Sequence, residues 1–515
     1  MISRRRFLAS SSAATAALAQ SHGNRGRLRG LMLDAARLPE EIPHYRRVID
    51  FCSAWGYNAI LFRLTDDQGC ALRFESHPEL VTHANALTPA EASDLCAYGR
   101  RHGVMVIPEV ESFGHTRFIT GVARYSHLED GDPARKGFGG ICPVDPDAIG
   151  IVRDLYGEAA RIFPAPYFHG GCDEVNWGYL ERSRKAIAAQ SRGAVWAAYV
   201  NSLGDLARGL GKEFIVWGDV VAHKEPDILP LLDQRTIVMD WQYYVTDAEP
   251  LRQTARGLID RGFRAMGAPA MISCKWGPRC GEVQLRNLDA FADAYRSLAD
   301  SGNLGVVITN WMPSRYLARS MWDTCAYGAM ALEHGSAAAR ATAFREFVAR
   351  FYGAKRSAEW DEIFETYYRL TPARPSCAAG WKGAVLPAPW ASDAELRAAM
   401  AVRPASAPPI GALREKIAAV SGSVRRNRAD FSSFALSAEY LEHLYWRQQP
   451  APEALHAVAE RDREMVQKLE AEWDLSRPPD SPGKSRALTS LGPQDQLLFR
   501  MREAAKFSAE KAESK

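Results

Sequence analysis

The chain has 515 residues, of which 47% are hydrophobic and 24% are charged, a composition typical of a folded globular protein. This length can hold several domains, or one barrel of ordinary size with one accessory domain. The formal net charge is only +3 at pH 7. With so small a charge the composition gives no indication of a nucleic-acid or membrane-surface partner, and it leaves the oligomeric state open.

The first residues have the features of an export signal. Three arginines at positions 4–6 precede Phe7, a modest apolar stretch runs to Ala19, and Ala17 and Ala19 form an A-x-A-like cleavage site. We therefore predict a twin-arginine-type signal peptide at residues 1–22 and an exported protein, periplasmic or secreted. A disordered basic start is the alternative. The stretch is too short and polar to span a membrane, and no other segment is apolar enough to do so.

Between residues 29 and 311, short apolar runs alternate with stretches of helical periodicity. The predicted strands are 30–34, 59–63, 104–109, 167–170, 214–217, 236–240, 264–267 and 305–309. Continuously apolar strands that alternate with helices indicate parallel strands buried on both faces, and eight such units predict a (β/α)8 TIM barrel. A doubly wound open sheet is the alternative, but no Gly-x-Gly-x-x-Gly motif follows the first strand.

Polar or tryptophan residues follow nearly every predicted strand. They are Asp34, Asp66, Asp67, Glu109, Glu111, Asp173, Glu174, Trp217, Asp219, Asp240, Trp241, Asn310 and Trp311. In a barrel the carboxyl ends of all strands open onto one rim, where the active sites of this fold lie. The sequence therefore predicts a functional site at this rim.

The sequence changes character after residue 335. It becomes rich in Ala, Arg and Glu, with helical periodicity at 338–352, 359–370, 425–446 and 452–473. We predict a catalytic barrel at 23–335 and an α-helical C-terminal accessory domain at 336–515, with a frayed charged end from residue 503. The nine cysteines are dispersed without a C-x-x-C pair, which favours buried free thiols over a zinc site or a disulfide framework.

Two adjacent carboxylates, Asp173 and Glu174, follow the fourth strand. At a strand end their side chains diverge and can address two parts of one substrate, and neighbouring negative charge tends to raise one pKa, as a general acid requires. Alternatively, the pair simply begins the next helix, since acidic residues favour a helix N-terminus.

Four motifs in chain order decide between these interpretations. The segment 169–174, His-Gly-Gly-Cys-Asp-Glu, resembles the H-x-G-x-D-E signature of glycoside hydrolase family 20. The segments 29–37, 64–69 and 108–115 resemble the first three strand motifs of the same family. The resemblance covers residues 29 to 325 and implies a retaining β-N-acetylhexosaminidase, in which the 2-acetamido group of the sugar supplies the nucleophile.

The resemblance implies roles for the rim residues. Glu174 would be general acid and then base, Asp173 would orient the acetamido group, and His115 with Asp66 would form a supporting dyad. The remaining predicted contacts are with the sugar, by Arg29, His169, Trp217, Asp219, Trp241, Trp276 and Trp311. The substrate would be an amino-sugar glycan, and no cofactor and no metal are expected.

The sequence also departs from the family pattern. Glu111 stands where many members have Asp, Cys172 replaces a Gly, and strand seven lacks a Tyr-x-Asp pair. The segments 273–277 and 311–316 look more like the hexosaminidase D branch. There a tyrosine of strand six takes the clamping role, and Tyr243 is our candidate, with Tyr244 second.

Two other functions fit the same residues. Rim carboxylates and His115 could ligate a metal in a metal-dependent barrel hydrolase, although no two histidines stand at metal-ligand spacing. A catalytically silent sugar-binding barrel is the other alternative, but the presence of both Asp173 and Glu174 argues for activity.

Overall fold

A closed barrel of parallel strands forms the centre of the structure, a computed structural model that describes residues 27–134, 138–272, 279–298, 302–371, 410–446, 455–475 and 497–513. The strands are β1 (Leu28–Leu33), β2 (Ala59–Arg63), β3 (Thr65–Asp66), β4 (Gly69–Leu72), β5 (Thr82–Leu87), β6 (Met105–Glu109), β7 (Tyr167–His169), β8 (Glu213–Trp217), β9 (Ile237–Asp240), β10 (Arg264–Gly267), β11 (Ala270–Ile272) and β12 (Asn303–Asn310).

The barrel closes in the order β1–β2–β6–β7–β8–β9–β10–β12, and β12 pairs back onto β1. Neighbouring strands are parallel throughout this circle. The predicted (β/α)8 barrel is confirmed. The doubly wound alternative is wrong, because an open sheet would leave two strands each with an unpaired edge.

Strand side chains alternate between two apolar layers, which is why the strands read as continuous apolar runs. On β1, Met32 points into the barrel while Leu31 packs against the surrounding helices. On β2, Leu61 faces inward and Phe62 outward in the same way. The barrel interior is filled by residues that include Met32, Leu61, Ile107, Ile215, Trp217, Met239, Met266 and Val307.

Helices connect the strands. They are α1 (Ile42–Trp55), α2 (Pro89–Arg101), α3 (Arg117–Thr120), α4 (Pro146–Ile162), α5 (Glu181–Ala189), α6 (Arg192–Gly209), α7 (Ala248–Ile259), α8 (Glu282–Arg296) and α9 (Trp322–His334). Local sequence sets where they begin. At α2, the Thr88 side chain accepts from the Glu91 N–H, the Glu91 carboxylate accepts from the Thr88 N–H, and Pro89 occupies the first turn.

The C-terminal helices are α10 (Ser336–Phe347), α11 (Ala358–Leu370), α12 (Ile410–Val420), α13 (Arg428–Trp446), α14 (Leu455–Asp474) and α15 (Leu497–Glu513). Asp430 on α13 joins them to the barrel, because it accepts from the Trp322 indole at 3.0 Å and pairs with Arg47 at 2.5 Å. Their buried apolar side chains are continuous with the layer around the barrel. The domain boundary at residue 335 therefore stays a prediction.

The predicted frayed end is wrong for residues 503–513, which belong to α15. Its buried positions include Met501, Ala504, Ser508 and Ala512, so the helical period is carried mainly by small residues that an apolar pattern does not reveal. The predicted signal peptide lies outside the described residues. Among the helices that are described, none is long and apolar enough to cross a bilayer.

The prediction of free thiols is confirmed where it can be compared with the structure. Six of the described cysteines are free thiols and buried, namely Cys52, Cys70, Cys96, Cys142, Cys172 and Cys325, and Cys280 is buried as well.

Candidate active site

The segment after β7 carries the adjacent carboxylates in a tight, strained turn. Gly171, Cys172 and Glu174 all have positive φ, at 68°, 75° and 46°. A Cβ on Gly171 would lie 1.8 Å from a carboxylate oxygen of Glu111, so only glycine fits there. The next helix begins only at Glu181. The pair therefore does not begin a helix, and that alternative is wrong.

His115 brings the two carboxylates together. Its Nε2 lies 3.7 Å from Asp173 Oδ1 and 3.5 Å from Glu174 Oε2, and its Nδ1 lies 3.6 Å from Asp66 Oδ2. The imidazole is buried and packs against Phe138, with ring centroids 4.0 Å apart. The predicted His115–Asp66 dyad is thus adjacent to both residues of the carboxylate pair.

These charges set one another's pKa values. Burial lowers the pKa of His115, but the carboxylates of Asp173 and Asp66 outweigh it and raise this pKa to about 10. Burial likewise opposes the charge of Asp66, yet Arg37 and Arg63 lower its pKa to about 2. His115 is therefore an imidazolium at neutral pH.

Glu174 differs from the expectation drawn from the sequence. Burial raises its pKa, but the nearby His115 imidazolium outweighs burial, and the pKa is held below its ordinary value. At Glu174 neighbouring negative charge does not raise the pKa, because His115, Arg37 and Lys224 all face it with positive charge. The Glu174 side chain is 37% exposed and can reach a substrate, whereas that of Asp173 is 8% exposed.

A buried arginine lies beneath this pair. Arg63 at the end of β2 contacts Glu109 at 2.5 Å, Glu111 at 2.9 Å and Asp66 at 2.5 Å, with no side-chain surface exposed. Glu111 in turn accepts from the Cys172 N–H at 3.2 Å. The motif comparison missed Arg63, although its place at the carboxyl end of an apolar strand was visible in the sequence.

The predicted sugar contact of Arg29 is wrong. Arg29 lies near the amino end of β1, where its side chain donates to the Gly56 carbonyl, on the face of the barrel away from the rim. Arg37, at the other end of the same motif, lies on the rim. It pairs with Asp66 at 2.9 Å and stacks 5.1 Å from the ring centre of Trp311. Strand direction alone could have separated the two arginines.

The predicted aromatic residues lie at two depths. Trp241 and Tyr243 are half-buried and stacked at 4.9 Å, and the Trp311 indole donates to the Tyr243 hydroxyl at 2.7 Å. Trp217 and His169 lie below them, packed together and fully buried, so a sugar could touch either only if neighbouring side chains moved. The predicted contact at Trp276 lies outside the described residues.

Asp219, which was predicted to contact the sugar, has other partners in the structure. Its side chain is 5% exposed and accepts from the Glu174 N–H at 3.2 Å and from Lys224 Nζ at 2.6 Å. It therefore holds the backbone of Glu174 in this structure rather than facing a sugar. Sequence analysis missed Lys224, which is five residues further along the chain.

A pH dependence of stability follows from His115. Since its pKa in the folded state is raised from 6.5 to about 10, its contribution to the free energy of unfolding is fully present below pH 6.5 and is lost as the pH rises towards 10. Between pH 6 and pH 9 the free energy of unfolding should fall on the order of 3 kcal/mol more in the wild type than in His115→Gln. Urea unfolding at both pH values measures this difference. His127→Gln, at an exposed histidine, is the matched control and should follow the wild type; parallel curves for His115→Gln and wild type would contradict the assignment.

Comparison with known proteins agrees with this geometry. The family profile described as "Glycosyl hydrolase family 20, catalytic domain" matches residues 27–271, from β1 to β11. A beta-hexosaminidase of Vibrio furnissii is 26% identical over 191 residues, covering 32% of this chain and 31% of the relative. The beta-hexosaminidase subunit beta of Felis catus is 25% identical over 268 residues, covering 48% and 46%. The chain thus spans a third to a half of the length of these relatives.

Among solved structures, the chain is similar to a GH20 exo beta-N-acetylglucosaminidase from Vibrio harveyi in complex with N-acetylglucosamine. The TM-score is 0.47 at 22% identity, over 61% of this chain and 55% of that one. The hexosaminidase D branch stays a prediction. The profile covers the barrel from its first strand, and both of these relatives are hexosaminidases, so residues 27–271 are similar to the catalytic domain of glycosyl hydrolase family 20.

Proposed function

We propose that the protein is a retaining exo-β-N-acetylhexosaminidase, which removes terminal β-linked GlcNAc or GalNAc through an oxazolinium intermediate. One observation carries the proposal, namely that Asp173 and Glu174 both lie against Nε2 of the buried His115. Two carboxylates on the same side of one imidazole suit an acid that works beside an acetamido-orienting group. Family 20 is among the families in which the substrate provides the nucleophile.

Glu174 protonates the glycosidic oxygen as the C1–O bond breaks, while the acetamido oxygen of the sugar bonds to C1. Water then attacks C1, the oxazolinium ring opens, and the water proton returns to Glu174. In the free site Glu174 is ionised at neutral pH. A bound sugar displaces water from its exposed side chain, and this desolvation raises its pKa towards that of a working acid.

Asp173 is suited to hold the acetamido nitrogen. Its Oδ1 is buried without a hydrogen-bond partner in the structure, so it can accept the acetamido N–H. The negative charge of Asp173 then stabilises the positive charge that develops on the oxazolinium ring. Tyr243 is the proposed donor to the acetamido oxygen, because the Trp311 N–H donates to the Tyr243 oxygen and fixes the position of its hydroxyl group.

Replacing the acid tests the mechanism. Glu174→Gln should lower kcat on 4-nitrophenyl β-N-acetylglucosaminide by about 10²–10⁴-fold, with a smaller loss on a 2,4-dinitrophenyl glycoside, whose leaving group needs less protonation. Steady-state kinetics on both substrates measures the difference. Glu181→Gln, the same change at an exposed pair with Lys185, should stay at wild-type rates. A wild type that cleaves neither GlcNAc nor GalNAc glycosides would contradict the function and favour a silent sugar-binding protein.

The two arginines of the first motif form a matched pair. Lysine keeps the charge but loses the planar fork of donors, so Arg37→Lys should lower kcat/KM about tenfold if the Arg37 guanidinium binds sugar hydroxyls. Arg29→Lys, on the opposite face, should change kcat/KM by less than about twofold. Aryl-glycoside kinetics compares them, and the reverse order would return the sugar contact to Arg29.

A metal-dependent hydrolase has one observation in its favour. Ligand atoms of His115, Asp173 and Glu174 lie within 4.8 Å of one another, close enough to share an ion. The same spacing follows from ion pairing between an imidazolium and two carboxylates. We expect activity to be unchanged after dialysis against EDTA. Loss of activity that a divalent cation restores would show that the metal-dependent alternative is right.

A further inference from the structure

A short π-helical segment, Asp219–Lys224, follows β8 at the rim of the barrel. In a π-helix the bonded partners are five residues apart, so the first and last residues of this turn lie one above the other. Lys224 Nζ accordingly reaches Asp219 Oδ2 at 2.6 Å.

The same oxygen of Asp219 also holds the general acid. Asp219 Oδ2 accepts the backbone N–H of Glu174 at 3.2 Å. Glu174 has a φ of 46°, a left-handed conformation that is unfavourable for a non-glycine residue. A hydrogen bond in which the backbone N–H donates to a buried carboxylate offsets this cost. Asp219 therefore stabilises the backbone conformation that aims the Glu174 side chain.

Lys224 supplies the positive charge that pairs directly with the carboxylate of Asp219. Asp219 lies close to Asp173, and burial followed by repulsion from Asp173 raises the pKa of Asp219. The described positive or titratable groups that face these carboxylates include His115, Arg37 and Arg63 on the barrel side, and Lys224 and His223 on the π turn itself. The Lys224 side chain is 53% exposed, whereas that of Asp219 is 5% exposed.

We propose that Lys224 is a positioning residue, which by binding Asp219 fixes the backbone N–H of Glu174 and with it the direction of the catalytic carboxyl. The inference rests on the proposed function of Glu174. Without the ammonium group, Asp219 takes up a proton more readily and becomes a weaker acceptor for the Glu174 N–H. The turn at residues 171–174 then opens more often, and the acid loses its orientation.

The first test needs no substrate. Hydrogen exchange of the peptide covering residues 170–176, read by mass spectrometry, should be about tenfold faster in Lys224→Met than in wild type, and Lys224→Arg should restore most of the protection. Lys185→Met is the matched control, since Lys185 pairs with an exposed glutamate on α5. Equal exchange in Lys224→Met and Lys185→Met would overturn the proposal.

The second test uses aryl-glycoside kinetics. Lys224→Met should lower kcat about tenfold while KM changes less than about twofold, because the acid and not the sugar loses its position. Lys224 also lowers the pKa of Glu174, so its removal should move the alkaline limb of kcat/KM to higher pH. An equal fall in kcat in Lys224→Met and Lys224→Arg, or an unmoved pH profile in Lys224→Met, would overturn the proposal. An inactive wild type would instead contradict the hexosaminidase function, and the exchange experiment would still test whether Lys224 holds the backbone of Glu174.

Discussion

The site depends on one buried guanidinium. Arg63 has no exposed side-chain surface and lies within 2.9 Å of carboxylate oxygens of Asp66, Glu109 and Glu111. Three carboxylates inside a barrel cannot all stay ionised without such a partner, because each loses its hydration. Removing one partner of a buried ion pair typically lowers the free energy of unfolding by about 3–5 kcal/mol. The protein is therefore expected to lose stability whether Arg63 or one of its acids is replaced.

Each acid that Arg63 neutralises supports a different part of the site. Asp66 faces His115, Glu109 accepts from the Trp217 indole at 2.9 Å, and Glu111 accepts from the Cys172 N–H. These acids are not reactants, since all are fully buried. Burial, against the opposing charge of Arg63, raises the pKa of Glu109 to about 7. Along the path from Arg63 through Asp66 and His115 to the partly exposed Glu174, positive and negative charge alternate.

Sequence patterns predicted what depends on neighbours along the chain. Continuously apolar runs predicted the barrel, the strand-end rule placed Asp66 and the 173–174 pair on one rim, and the family resemblance added His115. The patterns failed where a property of a residue depends on neighbours that are distant in the chain. The lowered pKa of Glu174 comes from His115, 59 positions away in the chain, and the pairing of Lys224 with Asp219 requires a π turn that no residue pattern announces.

Backbone strain explains why the rim carries more acids than the chemistry uses. Of the non-glycine residues with positive φ in the described chain, Cys172, Glu174 and Met312 each follow a barrel strand, as does His115. The first three share a feature: each backbone N–H donates to a buried carboxylate from another strand end, Glu111, Asp219 and Asp34 respectively. Each of these hydrogen bonds offsets part of the cost of the left-handed conformation. Those three acids thus hold the backbone, whereas Asp173 and Glu174 are the two carboxyl groups that the proposed mechanism uses.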